Sequence, residues 1–126
     1  MQRELHKIKR LYRRLVNAQP QRFPLEGPPK VSRKHGVYII FSPRSTVLHV
    51  GRTVRGQKGL DQRLNNHLHG ASSFTLQYLD GKGSQLRGTH WFAYVEVSRP
   101  RSRALLEAYA VGHLCPKHLG VGKNAS

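Results

Sequence analysis

The charge imbalance of this sequence constrains it more than any other feature. Of its 126 residues, 22 are Lys or Arg and 6 are Asp or Glu, which gives a formal net charge of +16. Such an excess destabilises a compact chain through self-repulsion, and the basic residues run along its whole length. A polyanion relieves that repulsion, and the phosphate backbone of nucleic acid is the commonest such partner. The composition therefore predicts a nucleic-acid-binding domain, and a role in solubility alone explains the charge less well.

Length and apolar patterning limit the remaining classes of protein. A chain of 126 residues has room for one domain with one modest core. No apolar run approaches the ~20 residues of a membrane span, so no membrane role is expected. Cys115 is the single cysteine, so an intramolecular disulfide is excluded. The Arg-rich start has no Ser before Ser32 and carries Glu4, so we expect a mature cytoplasmic protein rather than an organellar precursor.

The first 33 residues form a basic N-terminal segment. Residues 2–17 predict a helix whose apolar stripe consists of Leu5, Ile8, Tyr12, Leu15 and Val16. Its arginines Arg10, Arg13 and Arg14 predict contacts with phosphates; a solvated helix face is the compatible alternative, and a membrane-surface role is a weaker third. Residues 20–29 contain four prolines and predict an extended connector. We therefore separate residues 1–33 from a main domain over residues 34–126.

The main domain is expected to be a small α/β fold. Residues 36–41 and 46–50 predict a β-hairpin, and residues 91–97 predict a third strand. A short helix is expected around Leu60, Leu64 and Leu68, and a helix over residues 100–114 is apolar on nearly all sides, which predicts burial. Gly81, Gly83 and Gly88 break the periodicity of residues 70–89, which predicts a long loop. We expect a three-stranded sheet, antiparallel or mixed, flanked by helices with the N-terminal helix added.

The scarcity of acidic residues draws attention to Glu107. Six carboxylates make a site of several clustered acids hard to build, while a site with one carboxylate remains open. On the last helix, Glu107 falls between Val111 and Leu114, inside the apolar sector. A buried carboxylate is costly unless it is paired or binds a cation. A salt bridge to an arginine is the common outcome, but with so few acids we favour metal binding.

Four other positions have the residue types of a catalytic site. Arg63 and His67 stand one helical turn apart, where Arg offers a planar fork for a phosphate and His donates or shuttles a proton. Spacing alone favours a surface arginine and a half-buried histidine. Tyr38 and His49 lie at matching ends of the hairpin, and such pairs alone most often reflect cross-strand packing.

Taken together, these residues resemble the GIY-YIG nuclease family. The first motif is Gly36-Val37-Tyr38, and the second is His49-Val50-Gly51 followed by Arg52-Thr53. The family's helical arginine, with a histidine four positions on, matches Arg63 and His67, and its helical glutamate matches Glu107. Its late asparagine matches Asn124, so the resemblance covers about residues 34–124. In one departure, His49 stands where the family usually has Tyr.

The resemblance implies an endonuclease that hydrolyses DNA with one divalent ion per active site, Mg²⁺ or Mn²⁺, held by Glu107. Arg63 is expected to grip the scissile phosphate, and Tyr38 to act as general base. Its usual pKa of about 10 would have to be lowered by the metal and the positive field. His49 either takes the proton or orients the water. His67 and Asn124 are expected to position Tyr38 or the phosphate.

The remaining expectations concern partners. Double-stranded DNA is the predicted partner, and any dimer is expected to be isologous. In addition to the N-terminal arginines, the expected nucleic-acid contacts are Arg52, Arg55, Lys58, Arg87 and Lys123. Two alternatives stay open: a non-catalytic nucleic-acid-binding protein with the same fold, and a basic RNA-binding module. A zinc site from His113, Cys115 and His118 with His67 or His69 is a lesser possibility, because the spacing fits no common pattern.

Overall fold

The structure is a computed structural model that describes residues 2–54 and 58–119. The elements in chain order are α1 (Gln2–Val16), β1 (Gln21–Arg22), β2 (Gly36–Phe41), β3 (Val47–Arg52), α2 (Leu60–Leu68), α3 (Ser73–Tyr78), a 3₁₀ turn (Gly83–Leu86), β4 (Trp91–Glu96) and α4 (Pro100–Leu114). This order confirms the predicted α/β class. Within the described ranges, no helix is long and apolar enough to cross a membrane.

The sheet has four strands in the order β1-β4-β2-β3, and every neighbouring pair is antiparallel. The prediction of three strands was wrong because β1 is only Gln21 and Arg22, which pair with Phe92 and Trp91 of β4. A strand of two residues is too short to show an alternation of apolar and polar side chains, so only its pairing with β4 identifies it as a strand. The predicted hairpin of β2 and β3 is confirmed.

The register of the hairpin determines which side chains share a face of the sheet. Tyr38 pairs with Gly51, and Ile40 pairs with His49, so these residues all lie on one face. Val37 and Ile39 point to the opposite face. On the first face, α2, α3 and the 3₁₀ turn cover a core that includes Phe23 and Phe74. On the second face, α1 and α4 cover a separate core.

The N-terminal helix contributes to the second core. Ile8, Leu11 and Leu15 of α1 are buried there with Leu106 of α4. The predicted stripe was therefore partly wrong: Leu5 and Val16 are 47% and 41% exposed, and Leu11 takes their place. Arg10, Arg13 and Arg14 are exposed, as predicted. The boundary between residues 33 and 34 stays a prediction, although the two segments share both cores.

Residues 70–89 are not the long loop that their glycines predicted. They contain α3 and the 3₁₀ turn, which bury Phe74 and Leu86 completely. Ser72 caps α3 through its Oγ, which accepts from the backbone N–H of Thr75, and the Thr75 side chain returns to Ser72. A Cβ at Gly83 would overlap the carbonyl oxygen of His67, so this glycine serves close packing against α2 rather than a mobile loop.

The burial of α4 also differs from the expectation of an apolar helix covered on nearly all sides. Its fully buried residues are Ser102, Arg103, Leu106 and Ala110, while a strip on its other side is open to solvent. The guanidinium of Arg103 is buried because it donates to the carbonyl oxygens of Thr53, Val97 and Ser98. These bonds attach the start of α4 to the ends of β3 and β4.

Candidate active site

Three of the predicted site residues meet at the hydroxyl of Tyr38, which is completely buried on β2. Nε of Arg63 donates to the Tyr38 Oη at 3.2 Å, and Nε2 of His67 lies 2.7 Å from the same oxygen. Arg63 and His67 reach this point together because they are one turn apart on α2. The surface arginine and half-buried histidine that spacing alone favoured are therefore wrong, because His67 is completely buried and Arg63 is partly buried.

Glycine at position 51 is necessary for this arrangement. Gly51 lies opposite Tyr38 on the neighbouring strand. A Cβ at this position would clash with the Tyr38 hydroxyl and would stand 3.0 Å from Nε2 of His49. The glycine of the second motif thus lets the tyrosine ring lie directly against the β3 backbone.

The hydrogen bonds behind His67 determine which of its nitrogens carries the proton. Oγ1 of Thr75 donates to the carbonyl oxygen of Ser72, so it accepts from the Ser72 hydroxyl, 3.0 Å away. The Ser72 hydroxyl has then used its proton and accepts from Nδ1–H of His67 at 2.6 Å. The assignment that satisfies every contact leaves Nε2 of His67 unprotonated, so the Tyr38 O–H donates to it.

The pKa of Tyr38 moves opposite to the direction expected from the sequence. Burial raises the pKa of Tyr38 to about 12, and the nearby charge of Arg63 lowers it by less than burial raises it. The positive charge of Arg63 thus lowers this pKa, as expected, but burial outweighs it in the protein without bound metal. Because the hydroxyl is desolvated, its charged form is disfavoured, and the phenol is neutral at neutral pH.

His49 lies on the same face of the sheet as Tyr38 and is almost completely buried. Its ring stacks on Phe74 with the centroids 4.9 Å apart, and its centroid is 5.9 Å from that of Tyr38. Burial, with further contributions from the charges of His118 and Arg63, lowers the pKa of His49 to about 3. The ring is therefore neutral at neutral pH, and Nδ1 lies 3.0 Å from Nδ1 of His118.

Glu107 projects from α4 on the opposite side of the sheet. Its Oε1 accepts from Nη1 of Arg52 at 2.6 Å, so the alternative of a salt bridge is present in the structure. Burial raises the pKa of Glu107, while Arg52 and then Arg63 lower it. The positive charge of Arg63 lowers the pKa of both Tyr38 and Glu107. These two residues therefore interact with the same guanidinium although they lie on opposite faces of the sheet.

The described residues around Glu107 do not form a site in which protein side chains alone surround a metal ion. They are compatible with a hard cation such as Mg²⁺ that takes its other ligands from water and phosphate. In residues 2–54 and 58–119, no group of three His, Cys, Asp or Glu side chains could hold an ion. Magnesium needs only one or two carboxylates and completes its shell with water and phosphate. Among the described residues, Oε2 of Glu107 accepts no hydrogen bond, and the side chain is 26% exposed. One carboxylate oxygen is therefore open to an ion.

The predicted nucleic-acid contacts have varied surroundings. Lys58 is exposed, but Arg52 pairs with Glu107, and Nη1 of Arg87 donates to the carbonyl oxygens of Pro24 and Gly27. Their contacts with nucleic acid stay predictions. Arg55, Lys123 and Asn124 lie outside the described residues.

Sequence reasoning missed the residues that support the two histidines. Ser72 and Thr75 support His67, and His118 contacts His49 rather than belonging to a zinc site. Gln77 in turn accepts from His118. A Ser-x-x-Thr capping pattern at residues 72–75 was the available signal for the first pair. The second contact joins residues 69 positions apart and has no local signal.

Comparison with models of known protein families finds none that matches this chain. A search of curated proteins likewise finds none that matches.

Proposed function

We propose that this protein is a metal-dependent endonuclease that hydrolyses phosphodiester bonds of DNA with a single divalent ion. The observation that carries the proposal is the buried Tyr38 hydroxyl, which Arg63 and His67 both contact through hydrogen bonds. A structural tyrosine needs no arginine and histidine directed at one oxygen, whereas general-base chemistry needs a proton acceptor and a group that stabilises charge.

Tyr38 acts as a proton relay in this proposal. One lone pair of its oxygen accepts from Arg63, and its proton points to Nε2 of His67. Its second lone pair has no partner among residues 2–54 and 58–119. The free lone pair accepts a proton from the attacking water while the phenolic proton moves to His67. A concerted transfer of this kind avoids a free phenolate, which the raised pKa of Tyr38 disfavours. Burial also lowers the pKa of His67, so the negative charge of the bound phosphate would have to stabilise its protonated form.

Arg63 and Glu107 stabilise the negative charge of the phosphate, Arg63 directly and Glu107 through the metal ion that it would hold. The guanidinium of Arg63 is partly exposed, and it uses Nε on Tyr38, so its terminal nitrogens are available to a non-bridging phosphate oxygen. Glu107 would hold Mg²⁺ or Mn²⁺ through its free oxygen. The bound ion would supply charge neutralisation at the leaving oxygen.

The charge of the molecule supports DNA as the substrate. A net charge of +16 gives strong, salt-sensitive attraction to a polyphosphate backbone. The exposed arginines Arg10, Arg13 and Arg14 extend the basic surface onto α1. These features support binding, and the relay at Tyr38 supports cleavage.

A non-catalytic nucleic-acid-binding protein with the same fold is the second candidate. The salt bridge between Arg52 and Glu107 favours it, because the arginine competes with a cation for the carboxylate. This candidate predicts tight binding without cleavage. In this candidate, the hydrogen bonds of Arg63 and His67 to Tyr38 serve only to satisfy a buried hydroxyl.

Nicking of supercoiled plasmid tests the proposal. We expect the wild type to nick the plasmid in the presence of Mg²⁺ or Mn²⁺, and we expect nicking to stop when EDTA is added. Glu107→Ala should lose cleavage but retain DNA binding, measured by fluorescence anisotropy at a fixed salt concentration. Glu26→Ala is the matched control, because it removes an exposed carboxylate from the connector.

The outcomes separate the two candidates. Plasmid that stays intact with either metal, despite tight binding, would support the non-catalytic candidate. Cleavage by Glu107→Ala at the wild-type rate would remove Glu107 from the site even if the protein is a nuclease. Cleavage that persists in EDTA would instead contradict the metal dependence.

A further inference from the structure

His49 belongs to a hydrogen-bonded row whose direction follows from the side-chain oxygen of Gln77. Nε2 of His118 lies 2.8 Å from Oε1 of Gln77, and Nδ1 of His118 lies 3.0 Å from Nδ1 of His49. A carbonyl oxygen only accepts, so Nε2 of His118 carries a proton and donates it to Gln77. In a neutral imidazole the other nitrogen is then an acceptor. Nδ1–H of His49 therefore donates to His118.

This direction determines the state of the remaining nitrogen of His49. With the proton on Nδ1, Nε2 of His49 has a free lone pair. That atom is buried, and in the described part of the chain it has no hydrogen-bond partner. An unsatisfied buried polar group destabilises a protein, so its presence calls for a bound group or a catalytic purpose.

The free lone pair lies next to the proposed relay. Nε2 of His49 and the hydroxyl of Tyr38 both border the position that a Cβ would occupy at Gly51. The ring is held by its stack on Phe74, and the ring of His67 stands 5.4 Å away, centroid to centroid. The opposite tautomer would present an N–H donor here and would set two Nδ1 lone pairs against each other.

We propose that Gln77 and His118 fix the tautomer of His49, so that its unprotonated Nε2 accepts a hydrogen bond from the attacking water beside Tyr38. Gln77 and His118 are positioning residues, since they act through His49 and not on the substrate. The inference rests on the proposed nuclease function, because it gives His49 a role in that reaction. An orienting partner that selects the wrong tautomer is known to cost catalysis heavily in other enzymes.

The NMR chemical shifts of the histidine ring nitrogens, recorded on the intact, uniformly ¹⁵N-labelled protein at neutral pH, identify the tautomer directly. We expect His49 to show a protonated Nδ1 and an unprotonated Nε2. In His118→Ala, Nδ1 of His49 loses its acceptor, so a fraction of His49 with protonated Nε2 should appear and the nicking rate should fall at least about tenfold. Gln77→Glu keeps an acceptor for His118 and should retain the wild-type tautomer.

Gln77→Leu removes that acceptor and should shift His49 in the same direction as His118→Ala, though less, because residue 77 is exposed. Gln85→Leu is the matched control on the exposed side of the 3₁₀ turn and should change neither tautomer nor nicking. Circular dichroism and the melting temperature show whether each variant is folded.

The NMR result does not depend on activity, so the two proposals fail separately. A wild type with the proton on Nε2 of His49 would overturn the inference, as would His118→Ala with unchanged tautomer and nicking. A wild type with the expected tautomer that never nicks DNA overturns the proposed function, and with it the catalytic role given to His49. Loss of nicking in Gln77→Glu with the tautomer retained would show that Gln77 does not act through His49.

Discussion

The hydroxyl oxygen of Tyr38 lies 2.7 Å from Nε2 of His67, and both rings are completely buried. Such a contact in a desolvated site is both a structural bond and a route for a proton. Removing either partner leaves the other polar group unsatisfied in the core, so stability and chemistry are coupled at this point. Measuring the unfolding free energy and the nicking rate of the same variants separates these two effects.

Tyr38→Phe should abolish the relay and weaken the fold. The change leaves Nε2 of His67 and Nε of Arg63 without their partner, which should cost about 1–3 kcal/mol in the free energy of unfolding. Nicking should fall at least about a hundredfold, because the proton acceptor is lost. Urea denaturation and plasmid nicking measure the two effects. Tyr78→Phe, at an exposed position, is the control, and a Tyr38→Phe protein that nicks normally would reject the relay.

Gly51→Ala should displace the tyrosine without removing any polar atom. The added methyl group would clash with the Tyr38 hydroxyl, so we expect a destabilisation of roughly 1–3 kcal/mol and a large loss of nicking. Gly112→Ala is the matched control, because nothing lies within 4 Å of the place that its added Cβ would occupy on α4. That control should stabilise the protein by about 0.5–1 kcal/mol. If both variants behave alike, Gly51 has no special contact.

The hairpin, α2 and their shared face could be predicted from the sequence, because alternation in strands and the four-residue spacing of leucines are local signals. The same signals placed Arg63 and His67 together. The contacts that support them could not be predicted, because Ser72 lies in a glycine-interrupted segment and His118 reaches His49 only in the folded chain. Strand β1 was missed for the same reason: its identity depends on pairing with β4.

Acid should destabilise the fold through its buried histidines, of which His49 and His67 are the most deeply buried. Burial lowers the pKa of His49 to about 3 and that of His67 well below its usual value. In the unfolded chain these groups have a pKa of about 6.5, so between the two values the unfolded state binds more protons. Stability is therefore full above about pH 6.5 and should fall by roughly 1.4 kcal/mol per pH unit for each histidine below it.

Urea denaturation between pH 7 and pH 4.5 tests this dependence. His49→Phe should make the slope of stability against pH less steep over this window, since one buried titrating ring is gone while His67 and His118, whose pKa burial also lowers, remain. His6→Gln, on the exposed face of α1, is the control. A wild-type stability that stays constant down to pH 4.5 would contradict the neutral state assigned to both rings.

Removal of residues 1–33 should prevent stable folding. The deletion takes Ile8, Leu11 and Leu15 from one core and Phe23 from the other, and all four are buried. Full burial of a single such side chain is worth about 1.5–3 kcal/mol, so the total of about 6–12 kcal/mol is comparable with the whole unfolding free energy of a small domain, about 5–15 kcal/mol. Size-exclusion chromatography and circular dichroism of residues 34–126 measure the result. A monomeric, cooperatively folding fragment would instead support the separation predicted at residue 33.

Neutralising one arginine of α1 should weaken DNA binding only by removing a salt-dependent electrostatic contact with a phosphate. Arg13 is exposed, and each phosphate contact that is lost lowers the slope of log K against log salt by about 0.9. Arg13→Ala should therefore reduce affinity at low salt, equally for unrelated DNA sequences, and leave the nicking rate at saturating protein unchanged. Arg101→Ala is the control, because its guanidinium already donates to Glu4 at 2.8 Å and 3.1 Å. An unchanged slope for Arg13→Ala would exclude that side chain from the DNA interface.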